Sequence, residues 1–138
     1  MNDYNYVAEA CSEILRNKDI GFNINGYATT EEEWKTAYEE QIGKTEDNIA
    51  IMSTDPSKWQ VTWAQIKVEV EKLKVELPLR EVRIERNHRL TNTDWVAARA
   101  SETGIAVSDE WKTYRQALRD ITKTATSMDD VVWPTKPS

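Results

Sequence analysis

The stretch WQVTWAQIKVEVEKLKVELP, residues 59–78, carries the strongest periodic signal in this chain. Its large apolar residues follow one another at alternating steps of four and three, the spacing of a heptad seam or of one helix face. This predicts a long helix whose apolar face either packs within the chain or forms an oligomerisation seam, and the sequence leaves both readings open. Our candidates for partner binding or oligomerisation on this face are Trp59, Trp63, Ile66, Val70, Leu73 and Leu77.

The ends of this helix can also be read from the sequence. Asp55-Pro56 is typical of a helix start, with Asp as the cap and Pro at the first helical position. Pro78 removes one helical hydrogen bond and crowds the preceding turn, at a cost of roughly 3 kcal/mol. We therefore expect residues 56–90 to form a helical or coiled-coil spine with a kink or break near Pro78.

Residues 1–55 are predicted to be a small N-terminal helical domain. Apolar residues at helical spacing indicate a helix from Tyr4 to Arg16, and the alternation from Ile20 to Ile24 indicates at most one short strand without a convincing partner. Thr30 precedes a glutamate by three residues, the spacing of a capping box, and opens a predicted helix that runs to Gly43. Residues 44–55 have no clear period and are predicted to be a loop.

Residues 91–138 are predicted to be a helical hairpin with an extended tail. Thr93 is a suitable cap for a short helix that Gly104 ends, and Ser108 is a suitable cap for a second helix. Pro134 and Pro137 prevent the last eight residues from continuing a helix. The predicted fold class is mainly α: N-terminal helices with at most one short strand, a long Pro-kinked spine, and a C-terminal αα-hairpin covered by an extended Trp-Pro tail.

Composition narrows the function classes. The chain has 138 residues, a net charge of -6 and a mean hydropathy of -0.70, which fits one modest domain and disfavours nonspecific binding to a phosphate backbone. Cys11 is its one cysteine and His88 its one histidine, so neither a disulfide nor a cysteine zinc site is expected. We predict no cofactor, no metal, no nucleic acid partner, no membrane segment and no secretion signal, so the chain should stay where it is made. Without a clustered reactive site, we do not expect an enzyme.

Several short motifs in the C-terminal half occur in a recognisable order. RNHRL at 86–90 is followed by TDW at 93–95, WKTYRQALRDI at 111–121 and VWPTKP at 132–137. This order and spacing resembles the C-terminal domain of phage tail assembly chaperones, often described as tail fibre assembly proteins. The resemblance covers roughly residues 63–138, whereas the first sixty residues give no match. Val68 to Glu85 also adds a longer helical spine than the family usually has.

The resemblance implies a non-enzymatic phage protein that acts on tail or tail-fibre subunits in the host cytoplasm. One hypothesis is a transient chaperone that prevents fibre chains from aggregating. The alternative is a virion component, such as a tail-fibre adaptor or baseplate part, that joins a homo-oligomer, with a trimer favoured by fibre symmetry.

Two groups of side chains are assigned roles in the C-terminal domain. Arg115 and Arg119 are expected either to fix the hairpin through charged hydrogen bonds or to face a partner. The predicted structural core contains Leu90, Trp95, Trp111, Tyr114, Leu118, Ile121, Trp133 and Pro134.

Overall fold

The computed structural model describes residues 5–138, and the chain divides into two compact units, Met1–Lys74 and Val75–Ser138. About 55% of the chain is helical, which confirms the mainly-α prediction. The predicted start of the first helix at Tyr4 lies outside the described residues. The predicted domain boundaries at residues 55 and 90 stay predictions.

The N-terminal unit contains a sheet that the sequence did not predict. Helix α1 spans Tyr6–Leu15 and helix α2 spans Glu31–Ala37. Three antiparallel strands, in the order β1-β2-β3, span Phe22–Ile24, Tyr38–Lys44 and Ala50–Ser53. The prediction of at most one short strand is therefore wrong.

The second half of the predicted Thr30–Gly43 helix is instead strand β2, and the buried side chains at its start alternate with a period of two. Thr30 and Glu33 form the predicted capping box, but α2 ends at Ala37. Tyr38 and Glu40 are both buried, whereas side chains two apart on a helix would point in widely different directions. Pairing with β1 and β3 outweighs the helical preference of this segment, since isolated short helices are only marginally stable.

An aromatic cluster forms the centre of the N-terminal unit. The rings of Trp34, Tyr38 and Trp59 lie within 4.8–5.2 Å of one another, centroid to centroid. The buried carboxylate of Glu40 accepts hydrogen bonds from the hydroxyl of Tyr38 at 2.7 Å and from the backbone N–H groups of Gln60 and Val61. These bonds fasten the segment before the long helix to the sheet.

The long helix α3 spans Trp63–Thr91 and continues through Pro78 as a bent helix without a break. It begins seven residues later than predicted, because Asp55 caps only the 3₁₀ helix Pro56–Lys58. Its start is instead fixed by Thr62 and Gln65, which exchange hydrogen bonds between side chain and backbone in both directions. The boundary between the units follows Lys74, the residue whose carbonyl lacks its usual donor because Pro78 has no N–H.

The C-terminal unit contains the last part of α3 and two further helices. Helix α4 spans Asp94–Thr103 and ends at Gly104, whose φ of 70° is left-handed, a conformation that costs glycine little. Helix α5 spans Asp109–Asp120 and passes into the 3₁₀ helix Ile121–Lys123. A hydrophobic cluster of this unit contains Val82, Ile121 and Ala125, with Val131 and Trp133 packed against it.

Candidate partner-binding site

Arg115 on α5 joins three segments of the C-terminal unit. Its guanidinium donates to the carbonyl oxygen of Leu90 at 3.0 Å, to Oγ1 of Thr93 at 2.6 Å and to the carboxylate of Asp94 at 2.8 Å. The end of α3 and the start of α4 are thus held to α5 by one side chain, and we call these three hydrogen bonds the Arg115 joint. Of the two roles considered for Arg115, the geometry supplies the structural one.

The tail contacts α3 through Trp133. The guanidinium carbon of Arg89 lies 4.4 Å from the ring centroid of Trp133, within the range of a cation–π interaction. Arg89 also donates to Glu85 one turn earlier, at 2.7 Å. The same indole packs against the cluster around Val82, so Trp133 contacts both a cation and an apolar surface.

A groove of about 900 Å³ borders α4 and α5, and we call it the α4–α5 groove. Its lining combines small apolar side chains with three cationic ones. The lining residues are Val96, Ala97, Val107, Lys112, Thr113, Arg115, Gln116, Ala117 and Arg119.

A second, smaller recess of about 250 Å³, the Trp95 pocket, shares Val96 and Val107 with the α4–α5 groove. Trp95, expected in the core, is 50% exposed, and its ring meets that of Trp111 edge to face at 5.5 Å. Ile105, in the loop after α4, is 67% exposed. The pocket is lined by Trp95, Val96, Arg99, Ala100, Thr103, Ile105, Ala106, Val107, Ser108 and Trp111.

The remaining predicted core residues differ in burial. Tyr114, Leu118 and Ile121 are buried. The others, Leu90, Trp111, Trp133 and Pro134, are half-buried.

Two cations of this surface are free to meet a partner. Among the described residues, no carboxylate lies within salt-bridge distance of Arg99 or Arg119. Lys112, by contrast, is paired with Asp109 at 3.0 Å. Arg99 and Ile105 were missed by the sequence analysis, although the run GIAV at 104–107 signals an apolar loop between two helices.

The two units differ in charge. Residues 1–74 contain fourteen Asp and Glu against eight Lys and Arg, whereas residues 75–138 contain ten of each. The whole net charge of -6 therefore belongs to the N-terminal unit. Because the C-terminal unit has no net charge, long-range repulsion opposes neither an acidic nor a basic partner at its surface.

The predicted seam in α3 is mostly covered within the single chain. Ile66, Leu73 and Leu77 are buried, and Trp59 lies before the helix rather than on it. Trp63 and Val70 are half-buried and line a groove of about 660 Å³ in the N-terminal unit, next to Tyr27. Two other valines of α3, Val68 and Val75, are exposed.

Two aspartates of the C-terminal unit have pKa values that are lowered by hydrogen bonds within the chain. Hydrogen bonds from Lys123 and Gln116 lower the pKa of Asp120, and those from Thr126 and Ser127 lower the pKa of Asp130. Within residues 5–138 no three His, Cys, Asp or Glu side chains are arranged to hold a metal ion. No described helix has the length and apolar character needed to cross a membrane.

Comparison with known proteins gives one family match. No curated protein and no solved structure is significantly similar to the chain. Residues 79–138 match the model of a family described as phage tail assembly chaperone protein, a range that contains the Arg115 joint, the Trp95 pocket and the α4–α5 groove. The match covers 60 of the 138 residues, less than half of the chain, so what it shows is that residues 79–138 are similar to this family.

Proposed function

We propose that this chain is a non-enzymatic assembly protein that binds a tail or tail-fibre subunit of its phage through the Trp95 pocket and the adjoining α4–α5 groove. The family of residues 79–138 supports a role in tail assembly in general. The observation that carries the proposed site is the exposure of Trp95 and Ile105 on a unit whose other large aromatic residues are at least half-buried.

The chemistry of the surface indicates what the bound segment looks like. Trp95 and Ile105 offer an aromatic and an aliphatic contact, and a tryptophan in a recess is a common energetic centre of protein interfaces. Arg99 and Arg119 form no salt bridge with any described residue, although Arg119 lies close enough to Asp120 to lower its pKa. The partner segment should therefore place an apolar side chain in the Trp95 pocket and a carboxylate beside an arginine.

We further infer that α4 and α5 act as one helical hairpin and that the tail is its structural cover. The Arg115 joint and the Trp95–Trp111 ring contact support the hairpin. Packing of Val131 and Trp133 on the C-terminal core supports the covering role of the tail. A fixed hairpin would present the Trp95 pocket already ordered, which lowers the entropic cost of binding.

The partner could be held transiently or permanently. A transient chaperone would act in the host cytoplasm and leave before maturation, whereas an adaptor or baseplate part would remain in the virion tail. Burial of Ile66 and Leu73 within one chain favours the transient form, because the predicted coiled-coil trimer would need that seam. Quantitative mass spectrometry of purified virions separates the two: absence supports the chaperone, and an integral copy number relative to the fibre supports the adaptor.

The site itself is tested by photo-crosslinking in infected cells. A photoreactive amino acid replaces Thr113, which lines the groove, and in a matched control it replaces Ile84, an exposed residue of α3. We expect a crosslink to a phage tail protein from position 113 that Trp95→Ala weakens about tenfold, as for an interface centre. Equal crosslinking from both positions, or no effect of Trp95→Ala, would contradict the proposed site.

A further inference from the structure

The exposed edge of β3 in the N-terminal unit is a second candidate interaction surface. The strand order is β1-β2-β3, so no strand among residues 5–138 pairs with the outer side of β3. The N–H of Thr45 donates to the carbonyl of Ile49 at 2.8 Å, so Ile49 turns its carbonyl toward the preceding strand. Because these groups alternate along an antiparallel strand, those of Ala50 and Met52 face away from β2.

This edge has no Lys or Pro to block strand addition, and its protection is limited to the short length of β3 and the bulge in the β2–β3 pair. Natural edge strands commonly contain Lys or Pro, or are covered by other elements. The four residues of β3 are Ala-Ile-Met-Ser, and exposed apolar side chains lie in the strand and next to it: Ile51 within β3 by 41%, Ile49 just before it by 64%, and Ile42, at the bulge in β2, by 42%. An extended apolar segment would gain both backbone hydrogen bonds and side-chain burial here.

The charges around β3 decide between possible occupants. Glu46 and Asp47 precede the strand and have no salt bridge among the described residues, while Asp55 follows it, 4.0 Å from Lys58. A second copy paired antiparallel about Ile51 would bring Asp47 opposite Asp55 of that copy, which is repulsive. A partner strand with cationic ends would find complementary charge instead.

We propose that β3 accepts a strand from a partner protein, namely an extended apolar segment flanked by Lys or Arg. This surface lies in the N-terminal unit, which carries the whole net negative charge, and outside residues 79–138. It is therefore independent of the proposed Trp95 site. A chain with both surfaces can hold two segments, of one partner or of two, and the first contact raises the effective concentration for the second.

The edge is tested with a defined probe, a labelled peptide of alternating valine and threonine with two lysines at each end. Binding to the full chain is measured by fluorescence anisotropy. Ala50→Pro removes an outward N–H at the first residue of the strand, where proline is tolerated, and Ala50→Ser is its matched control. We expect Ala50→Pro to weaken binding about tenfold or more and Ala50→Ser to leave it unchanged.

A second pair of variants tests the charges without altering the strand. Glu46→Gln with Asp47→Asn should weaken binding about threefold to tenfold, whereas Glu31→Gln with Glu32→Gln, an equal change of net charge on α2, should not. A peptide with glutamates in place of the lysines should bind more weakly than the lysine peptide.

Three results would overturn the proposal. These are absence of binding by the lysine peptide, equal binding by Ala50→Pro and Ala50→Ser, and equal loss in both acidic double variants. A concentration-dependent dimer of the chain alone that Ala50→Pro abolishes would assign the edge to a second copy instead. Each result leaves the crosslink from position 113 unaffected, so failure here is distinguishable from failure of the proposed Trp95 site.

Discussion

At the scale of single residues, Arg115 connects three of the short sequence motifs to one another. Its guanidinium contacts Leu90 of the first motif and Thr93 and Asp94 of the second, while it belongs to the third itself. Each motif is thus a weak sequence signal by itself, because it provides only part of the Arg115 joint.

Replacement of Arg115 by lysine tests this joint. Lysine keeps the charge but cannot direct several donors in a planar fork, so we expect a loss of about 1 to 3 kcal/mol in the free energy of unfolding. Urea unfolding measures this loss. Arg119→Lys, at an arginine that has no salt bridge within the described part of the chain, should change it by less than about 0.5 kcal/mol. Equal effects of the two substitutions would show that Arg115 is not a structural joint.

Cys11 gives the N-terminal unit a dependence on alkaline pH. Burial raises the pKa of its thiol from 9.0 to about 12, although an interaction with Trp34 opposes this rise. Because the folded pKa exceeds the unfolded one, the stability is complete below pH 9 and is lost as the pH rises toward 12.

We expect the free energy of unfolding to fall above pH 9.0 by up to about 1.4 kcal/mol per pH unit from this thiol. Urea unfolding between pH 8 and pH 10 should show a smaller slope for Cys11→Ala than for the unchanged chain, whatever the substitution does to stability at neutral pH. Burial and a hydrogen bond to Glu40 also raise the pKa of Tyr38, which adds to the fall at still higher pH in both proteins. Identical slopes would contradict a buried neutral thiol.

At the scale of elements, helices were predicted well where caps and period agree, whereas of the three strands only β1, within the alternation from Ile20 to Ile24, was predicted. Helix α1 and the Thr30 capping box follow local rules that involve neighbours in sequence. Strand β2 could not be predicted, because its pairing with β1 and β3 depends on contacts between distant residues. The start of α3 could have been found, since Thr62 and Gln65 have the spacing of a capping box.

The candidate site was only partly readable for the same reason. The motifs indicated Trp95, Arg115 and Arg119 as notable side chains. Only the structure separates Arg115, which is bonded within the chain, from Arg119, which has no salt bridge with any residue in 5–138. Exposure of Trp95 likewise depends on which helix face packs inward.

We expect Trp133, in the C-terminal tail, to stabilise the folded C-terminal unit. Trp133 contacts Arg89 and packs against the cluster of Val82, Ile121 and Ala125, so its removal takes away both interactions. We expect Trp133→Ala to lower the free energy of unfolding by about 2 to 4 kcal/mol, somewhat less than for a fully buried tryptophan. Val132→Ala, at a neighbouring residue that is 84% exposed, is the control and should change it by less than about 0.5 kcal/mol. An unchanged thermal melt for Trp133→Ala would assign Trp133 to an interface.

At the scale of the whole molecule, the chain combines two units with different surfaces. The acidic N-terminal unit offers a strand edge, and the neutral C-terminal unit offers an aromatic pocket next to arginines. Their boundary falls inside α3, next to the carbonyl that Pro78 leaves without its donor. Separate units allow each surface to respond differently to the same change of conditions.

Salt provides such a change. Repulsion within a unit of net charge -6 opposes its compact state, whereas the neutral unit has no such excess. Raising sodium chloride from about 0.02 M to about 0.3 M shortens the Debye length and should stabilise residues 1–74 by on the order of 1 kcal/mol, with little effect on residues 75–138. Hydrogen exchange followed by mass spectrometry reports both units in one experiment, and slower exchange confined to peptides from β2 and α1 is the expected result. The variant with Glu31→Gln and Glu32→Gln removes two of the negative charges and should show a smaller effect of salt on hydrogen exchange. Equal slowing of exchange in α5 would contradict the prediction, because salt would then act through general apolar burial rather than through the charge of the N-terminal unit.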